Sequence, residues 1–488
     1  MRTNLPNVAL ECDRFQLSDR SAAALSNAML KDVGIVNQND VSMVIDRNKI
    51  RRERSNLRKA SVLDSKKAIK ALFFDGKKDN TLQQDGRISL EKRITIMAEP
   101  FSEYVTHLSV SKGNAAEIAS AILQCMKLDL TELCAVGCDG TAVNTGSKGG
   151  VISTLEKQLN RPLQWIVCLL HTNELPLRHL FQKIDGTTSG PKSFTGKIGK
   201  LLSECNSMPV VKFEKIDAEI IDFESTNLSS DQTYLLKITN AVITGHVDER
   251  LTKASPGKLC HSRWLTMANR LIRLYISTEL PSLDLKLLVQ YVVKVYSQTW
   301  FDIRKDPSIN KGSTHFLNII KRSRFLPNNL KEIVYNCMKR NSFFGHSENI
   351  ILNLLTHSEL ETRQMGLSIY EIALENFESN NRHFQLPPLN CCANSLIELL
   401  DVPALWSPPP ILSQFTMDKV KNLAISGQMC ALFCEIPCHS QAVERHVCLV
   451  SKASKAVCGE DKRDGMIRNI LKSQKENPFF DSKRQYNL

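Results

Sequence analysis

Asp139 closes the apolar run Leu133-Cys134-Ala135-Val136-Gly137-Cys138 and opens the polar turn Gly140-Thr141-Ala142-Val143-Asn144-Thr145-Gly146. A carboxylate at a strand tip, followed by a turn and a helix, can hold a divalent cation or orient a phosphate. A second apolar run, Trp165-Ile166-Val167-Cys168, leads into Leu169-Leu170-His171. Asp75 repeats the first pattern: it ends the run Ile69-Lys70-Ala71-Leu72-Phe73-Phe74 and precedes Gly76. A lone aspartate at a strand end is ordinarily a turn former. Two of them, joined by an acidic residue from a late helix, would satisfy Mg²⁺, which takes hard oxygen ligands and keeps several waters. Two such ions on the order of 3.5–4 Å apart can activate a water and stabilise the leaving oxygen of a phosphodiester.

The elements that must position these residues follow from period and punctuation. Ile69–Asp75, Arg93–Met97 and Tyr104–Leu108 read as strands. Asn114 reads as the N-cap of a helix carrying Ile118, Ala119, Ile122 and Leu123. Leu133–Cys138 is a fourth strand, Lys148–Leu159 a second helix and Trp165–Cys168 a fifth strand. Three strands, helix, strand, helix, strand fits an antiparallel meander followed by parallel crossovers. In an RNase H-like sheet of this order the first and fourth strands are neighbours, which would bring Asp75 and Asp139 together. Upstream lie a short helix around Ser21–Leu25 and a basic stretch through Arg47, Lys49, Arg51, Arg52, Arg54, Arg58 and Lys59. That stretch is a phosphate-contacting helix, a nuclear-import signal, or a solvated face broken by Glu53. Between residues 172 and 430 strand signals are few, and apolar helices recur around 271–275, 287–293, 350–355 and 367–374. Gly186–Gly190 and Trp406–Pro410 mark loops, and a last helix begins near Ser440 with Val443, Val447 and Val450 on one side.

Composition narrows the classes. With 488 residues the chain exceeds one usual core, so two or three domains are expected. Lys and Arg total 63 against 51 acidic residues, and the net charge of +12 favours a polyanionic partner, most often nucleic acid. No apolar run reaches the length of a bilayer span, and Met1–Pro6 has no apolar leader core, so neither a membrane segment nor a secretory signal is expected. The 15 cysteines are scattered and odd in number, which fits a reducing compartment, and no CxxC pair occurs. Gly146-Ser147-Lys148 is not the Gly-Lys-Ser/Thr order of a phosphate loop. Asp75 is followed by Gly76 and Lys77, not by the Asp-x-Glu that a DEDD-type exonuclease needs. Cys430, Cys434 and Cys438, with His439 beside them, read as buried thiols rather than a metal site.

Five motifs in order carry a resemblance: Phe74-Asp75-Gly76, Cys138-Asp139-Gly140, Cys168-Leu169-Leu170-His171, His261-Ser262-Arg263-Trp264-Leu265-Thr266 and Ser440-Gln441-Ala442-Val443-Glu444-Arg445. The chain resembles the RNase H-like DDE transposases of the hAT superfamily over roughly residues 70 to 480, and in particular the hAT-like element-encoded proteins of invertebrate genomes. The resemblance implies Asp75, Asp139 and Glu444 as a triad for Mg²⁺ or Mn²⁺, with Glu435 the runner-up for the third position. It implies that Cys168 and His171 support the site near the transposon end, and that Arg263 and Trp264 contact or stack on DNA by the cut. On the residues alone, Trp264 is equally a core residue, Glu444 a surface partner of Arg445, and Cys168 with His171 half of a zinc site lacking its second pair. Departures are Gly76-Lys77 in place of Gly-Trp, His446-Val447 after Glu-Arg in place of Phe-Ser, and no BED-type zinc finger, whose work the segment Met1–Ala60 would do differently unless the chain starts late.

The fold expected is therefore an RNase H-like α/β domain interrupted by a large, mainly α-helical insertion. The expected parts are 1–62 (helical and basic, with Arg51 and Arg52 on DNA), 63–172 (first part of the RNase H-like domain), 173–430 (insertion) and 431–488 (catalytic helix and tail). The function expected is metal-dependent cleavage and transfer of DNA strands at element ends by a nuclear homo-oligomer acting on double-stranded DNA. The alternative is a decayed or host-adopted transposase that binds DNA or protein without cutting.

Overall fold

Polar alternation carries the first long strand well past the point where its apolar run stops. In the computed structural model, which describes residues 4–62, 67–187, 194–225, 228–259, 264–380, 409–427 and 436–476, β1 (Lys67–Ala68) is short and β2 spans Ala71–Leu82. β3 (Ile88–Glu99) and β4 (Glu103–Val110) complete an antiparallel meander, with Ala71 opposite Glu99 and Leu82 opposite Ile88. Asp75 therefore lies inside a strand, opposite Thr95, and not at a tip as the sequence suggests. The reason is the second half of β2. Asp79 and Thr81 turn inward, where Ser451 Oγ donates to Asp79 Oδ2 at 2.6 Å and Arg93 donates to Thr81 Oγ1.

The chain divides into two compact units, Met1–Leu133 with Gln441–Leu488, and Cys134–Ser440. The first unit also holds α1 (Pro6–Arg14), α2 (Asp19–Asp32), α3 (Arg47–Ala60), α4 (Ala115–Leu123) and β5 (Leu128–Asp129), which pairs in parallel with β1. Asn114 caps α4 as expected, its side chain accepting from Glu117 N. The helix Gln441–Ala456 packs on β2 and β3. Its Leu449, Val450 and Ala453 share a core with Tyr104 and with Met466, Ile467 and Ile470 of the helix Glu460–Glu476. Gly465 lets that last helix approach α3 closely, since a Cβ there would meet the Arg58 carbonyl oxygen at 2.3 Å.

Two fully buried carboxylates tie this unit together. Asp13 accepts from Arg54 and Arg58 of α3 and from Asn469 Nδ2. Asp464 accepts from Tyr104 Oη at 2.6 Å, Thr106 Oγ1 at 3.2 Å and Lys127 Nζ at 2.6 Å, with His107 Nδ1 at 2.8 Å. The segment 4–62 thus packs into the same unit as the helices Gln441–Ala456 and Glu460–Glu476.

In the second unit β6 (Ala135–Cys138) and β7 (Gln164–Val167) run parallel, Cys138 opposite Val167, joined through α5 (Ala142–Thr145) and α6 (Val151–Leu159). A parallel pair needs such a crossover, because a tight hairpin can only reverse the chain. α7 (Leu169–Asp185) follows, with Cys168 at its N-cap position and no side-chain capping bond. The remainder is mainly helical, as expected: Ser230–Thr244, Trp264–Tyr275, Leu283–Tyr291 continuing through a π-helical turn into Ser297–Lys305, then Gly312–Arg322, Asn328–Arg340, Ser347–Leu355, Leu360–Asn380 and Met417–Ser426. β6 and β7 fall in one compact unit with these helices, which begins at Cys134. Side chains of β7 show why. Gln164 hydrogen-bonds Asn349, Trp165 stacks on Phe343, and α7 packs against the helices 283–291, 297–305 and 328–340. Among the described residues, no helix is long and apolar enough to cross a membrane.

Candidate functional site

The carboxyl ends of β6 and β7 place Asp139 and Cys168 at the openings of the helices that follow, the usual ligand edge of parallel strands. Asp139 is half-buried and held through one oxygen. Its Oδ1 accepts from Thr141 N at 3.1 Å, Thr141 Oγ1 at 2.8 Å and Asn144 Nδ2 at 2.6 Å. This is the turn-forming role of aspartate, and Asn144 adds a side chain that fixes the carboxylate plane. Among the described residues every hydrogen bond to this carboxylate falls on Oδ1. Oδ2 is the oxygen left for a hard cation.

His171, on the first turn of α7, packs its ring over Gly140: a Cβ at that glycine would stand 3.1 Å from His171 Cδ2. Burial lowers the His171 pKa, Asp139 opposes that shift and Arg178 adds to it. The imidazole beside Asp139 is therefore held toward its neutral form. Cys168 Sγ lies 3.1 Å from His439 Nδ1, a pairing across 271 residues. Burial, and then Arg304, push His439 down to about 3, so its imidazole is neutral, and its Nε2 has no hydrogen-bond partner among the described residues. Backbone bonds from Leu169 N to the Cys438 carbonyl and from Cys168 N to the Cys138 carbonyl hold this corner together. Cys438 is fully buried, as expected, and burial raises its thiol pKa. Cys430 and Cys434 lie outside the described residues.

The other expected site residues are placed differently. Asp75 belongs to the first unit, half-buried on β2, with Oδ1 accepting from Gly76 N at 2.6 Å. Glu444 belongs to the first turn of the helix Gln441–Ala456. Ala442, His446, Leu449, Val450 and Ala453 form the buried stripe of that helix, and Glu444 lies on the opposite, exposed side with Arg445. Among the described residues, no three His, Cys, Asp or Glu side chains have a geometry that could hold a metal ion. Trp264 is 3% exposed, edge-on to Phe181 with ring centroids 5.8 Å apart. It fills the helical core, where the first turn of its helix packs against α7. Arg263 and Glu435 lie outside the described residues. Arg51 and Arg52 are both exposed on α3.

Sequence reasoning missed the Cys168–His439 pair and the partners of Asp139. The first carried no local signal, because its members meet only through the tertiary fold. The second was readable only in part: Thr141 stands two residues after Asp139, the Asx-turn spacing, whereas Asn144, five residues on, carries no such signal. No protein-family model matches the chain, and no curated protein matches it in sequence.

Proposed function

We propose that this chain is a transposase-like protein with an RNase H-like catalytic fold, similar to the hAT transposases, that cuts and joins strands of double-stranded DNA with Mg²⁺ or Mn²⁺. The observation that carries the reading is Asp139: a carboxylate at the carboxyl end of a parallel pair, clamped through Oδ1 by Thr141 and Asn144. The oxygen that Asp139 offers suits a hard divalent cation; Asp75 and Glu444 are the further ligands that the resemblance implies. When bound, the ion supplies an activated water and charge stabilisation for the departing oxygen of a phosphodiester. Thr141 and Asn144 keep the Asp139 carboxylate oriented, and His171, held toward neutrality, offers a hydrogen bond beside it without adding a fixed charge. Positioning and charge stabilisation of this kind supply most of the acceleration in phosphoryl transfer. A nuclear location and a homo-oligomer belong to the same reading.

The test is nicking of supercoiled DNA that carries the sequences bracketing the coding region, in Mg²⁺ or Mn²⁺. Asp139→Asn is expected to abolish it. Cleavage unchanged by that substitution would refute the assignment. A second reading, a transposase-derived protein that binds DNA or protein without cutting, is favoured by the solvent-facing side occupied by Glu444 and the burial of Trp264. Salt-sensitive DNA binding with no cleavage under any divalent ion would select it.

A further inference from the structure

We infer that α3 is a duplex-DNA docking helix whose arginines have divided into a structural set and a DNA-facing set. This deepens the proposed function and rests on its choice of DNA as partner, though not on strand cleavage. Residues Arg47, Arg51, Ser55 and Lys59 recur every four positions, with Asn48, Arg52 and Asn56 beside them, and all seven are exposed. At 100° per residue they make one continuous face. Ile50 and Leu57 point away from it, and Ile50 is fully buried with Cys12, Ala22, Ala23 and Ile45; Arg54 and Arg58 lie along the edge of that face, and their side chains turn in to grip the buried Asp13. Glu53, the only acidic residue of the helix, is partly buried off the exposed face.

Charge complementarity and residue type select the occupant. The face carries four cations and no acid, so a phosphate backbone fits it. Its neutral members, Asn48, Ser55 and Asn56, are side chains that hydrogen-bond base edges and phosphates. It has no aromatic side chain on which single-stranded bases would stack and no large apolar side chain to enter a bilayer. An α-helix of this kind fits the major groove of B-form DNA. Arg51 also meets Asp19 at 3.2 Å, but its side chain is 66% exposed, and an open ion pair of this sort exchanges readily for a phosphate.

The experiment measures binding of the full chain to a fluorescent duplex in EDTA over a salt series. The triple variant Arg47→Gln, Arg51→Gln, Arg52→Gln is compared with Lys200→Gln, Lys305→Gln, Lys419→Gln, which removes equal charge from exposed sites elsewhere. The α3 triple is expected to weaken binding at least about tenfold at physiological salt and to flatten the log–log salt slope by about 3, one for each phosphate that is no longer neutralised. The control triple is expected to bind as the wild type does. Equal losses in the two triples, no loss in the α3 triple, or a wild type that prefers single-stranded RNA to duplex would each overturn the docking face. Asp139→Asn separates the two claims. It should bind duplex normally, and if neither it nor the wild type cuts in any divalent ion, the cleavage reading falls while the docking face stands.

Discussion

Three carboxylates sort themselves by what surrounds them, and each has a different consequence. Asp464 would be driven toward protonation by burial, but hydrogen bonding and charge from His107, with bonds from Lys127 and Tyr104, outweigh this and hold it well below the usual carboxylate range. A depressed acid contributes stability above its unfolded pKa, near 3.8, and that contribution is lost as pH falls below it. Asp464→Asn is expected to cost about 3 kcal/mol at neutral pH, the scale of a broken buried pair, with the deficit shrinking below pH ~4 in urea titrations. Glu348 is the opposite case. Burial raises it to about 8 although Leu412 N and Ile411 N donate to its Oε1, and Oε2 has no hydrogen-bond partner among the described residues. Between about 4.5 and about 8 the folded protein keeps a proton that the unfolded chain releases, so stability falls as pH rises through that window. Glu348→Gln keeps the shape, removes the titration and is expected to flatten the decline of the unfolding midpoint across that same window. Asp139 differs from both, being half-buried, oriented and open on one oxygen.

At the scale of elements, α3 shows how one helix serves packing and surface at once. Asp13→Ala leaves the buried Arg58 without its counter-charge and Arg54 with Asp19 alone, and is expected to destabilise the first unit by about 3 kcal/mol in chemical denaturation. Arg52→Gln, on the exposed face, should change stability by less than about 0.5 kcal/mol. Much of this level is legible in the residues. Apolar runs locate β3, β4, β6 and β7, and Asn114 announces its helix, because each signal is local. The extent of β2 is not legible, because Asp79 and Thr81 look like a solvated turn until Ser451 and Arg93 arrive from elsewhere in the chain. The burial of Trp264 is not legible for the same reason: its position in the sequence does not say which way its helix faces, and Phe181, from far along the chain, packs against it.

Taken whole, the molecule is a basic, two-unit chain in which both ends build one unit and the middle builds the other. The first unit therefore depends on its last helices. Removing 441–488 takes away Leu449, Val450, Met466, Ile467 and Ile470, each contributing about 1.5–3 kcal/mol by burial, which together exceeds the margin of a typical domain. A chain ending at Ser440 is expected to lose amide-exchange protection throughout β3 and β4 while β6, β7 and α7 retain theirs. The most direct test of the central claim is the divalent-ion dependence of nicking on supercoiled DNA carrying the sequences that bracket the coding region. The wild type is expected to nick in Mg²⁺ or Mn²⁺ and Asp139→Asn not to, with duplex binding preserved in both. Nicking by Asp139→Asn at the wild-type rate would contradict that claim.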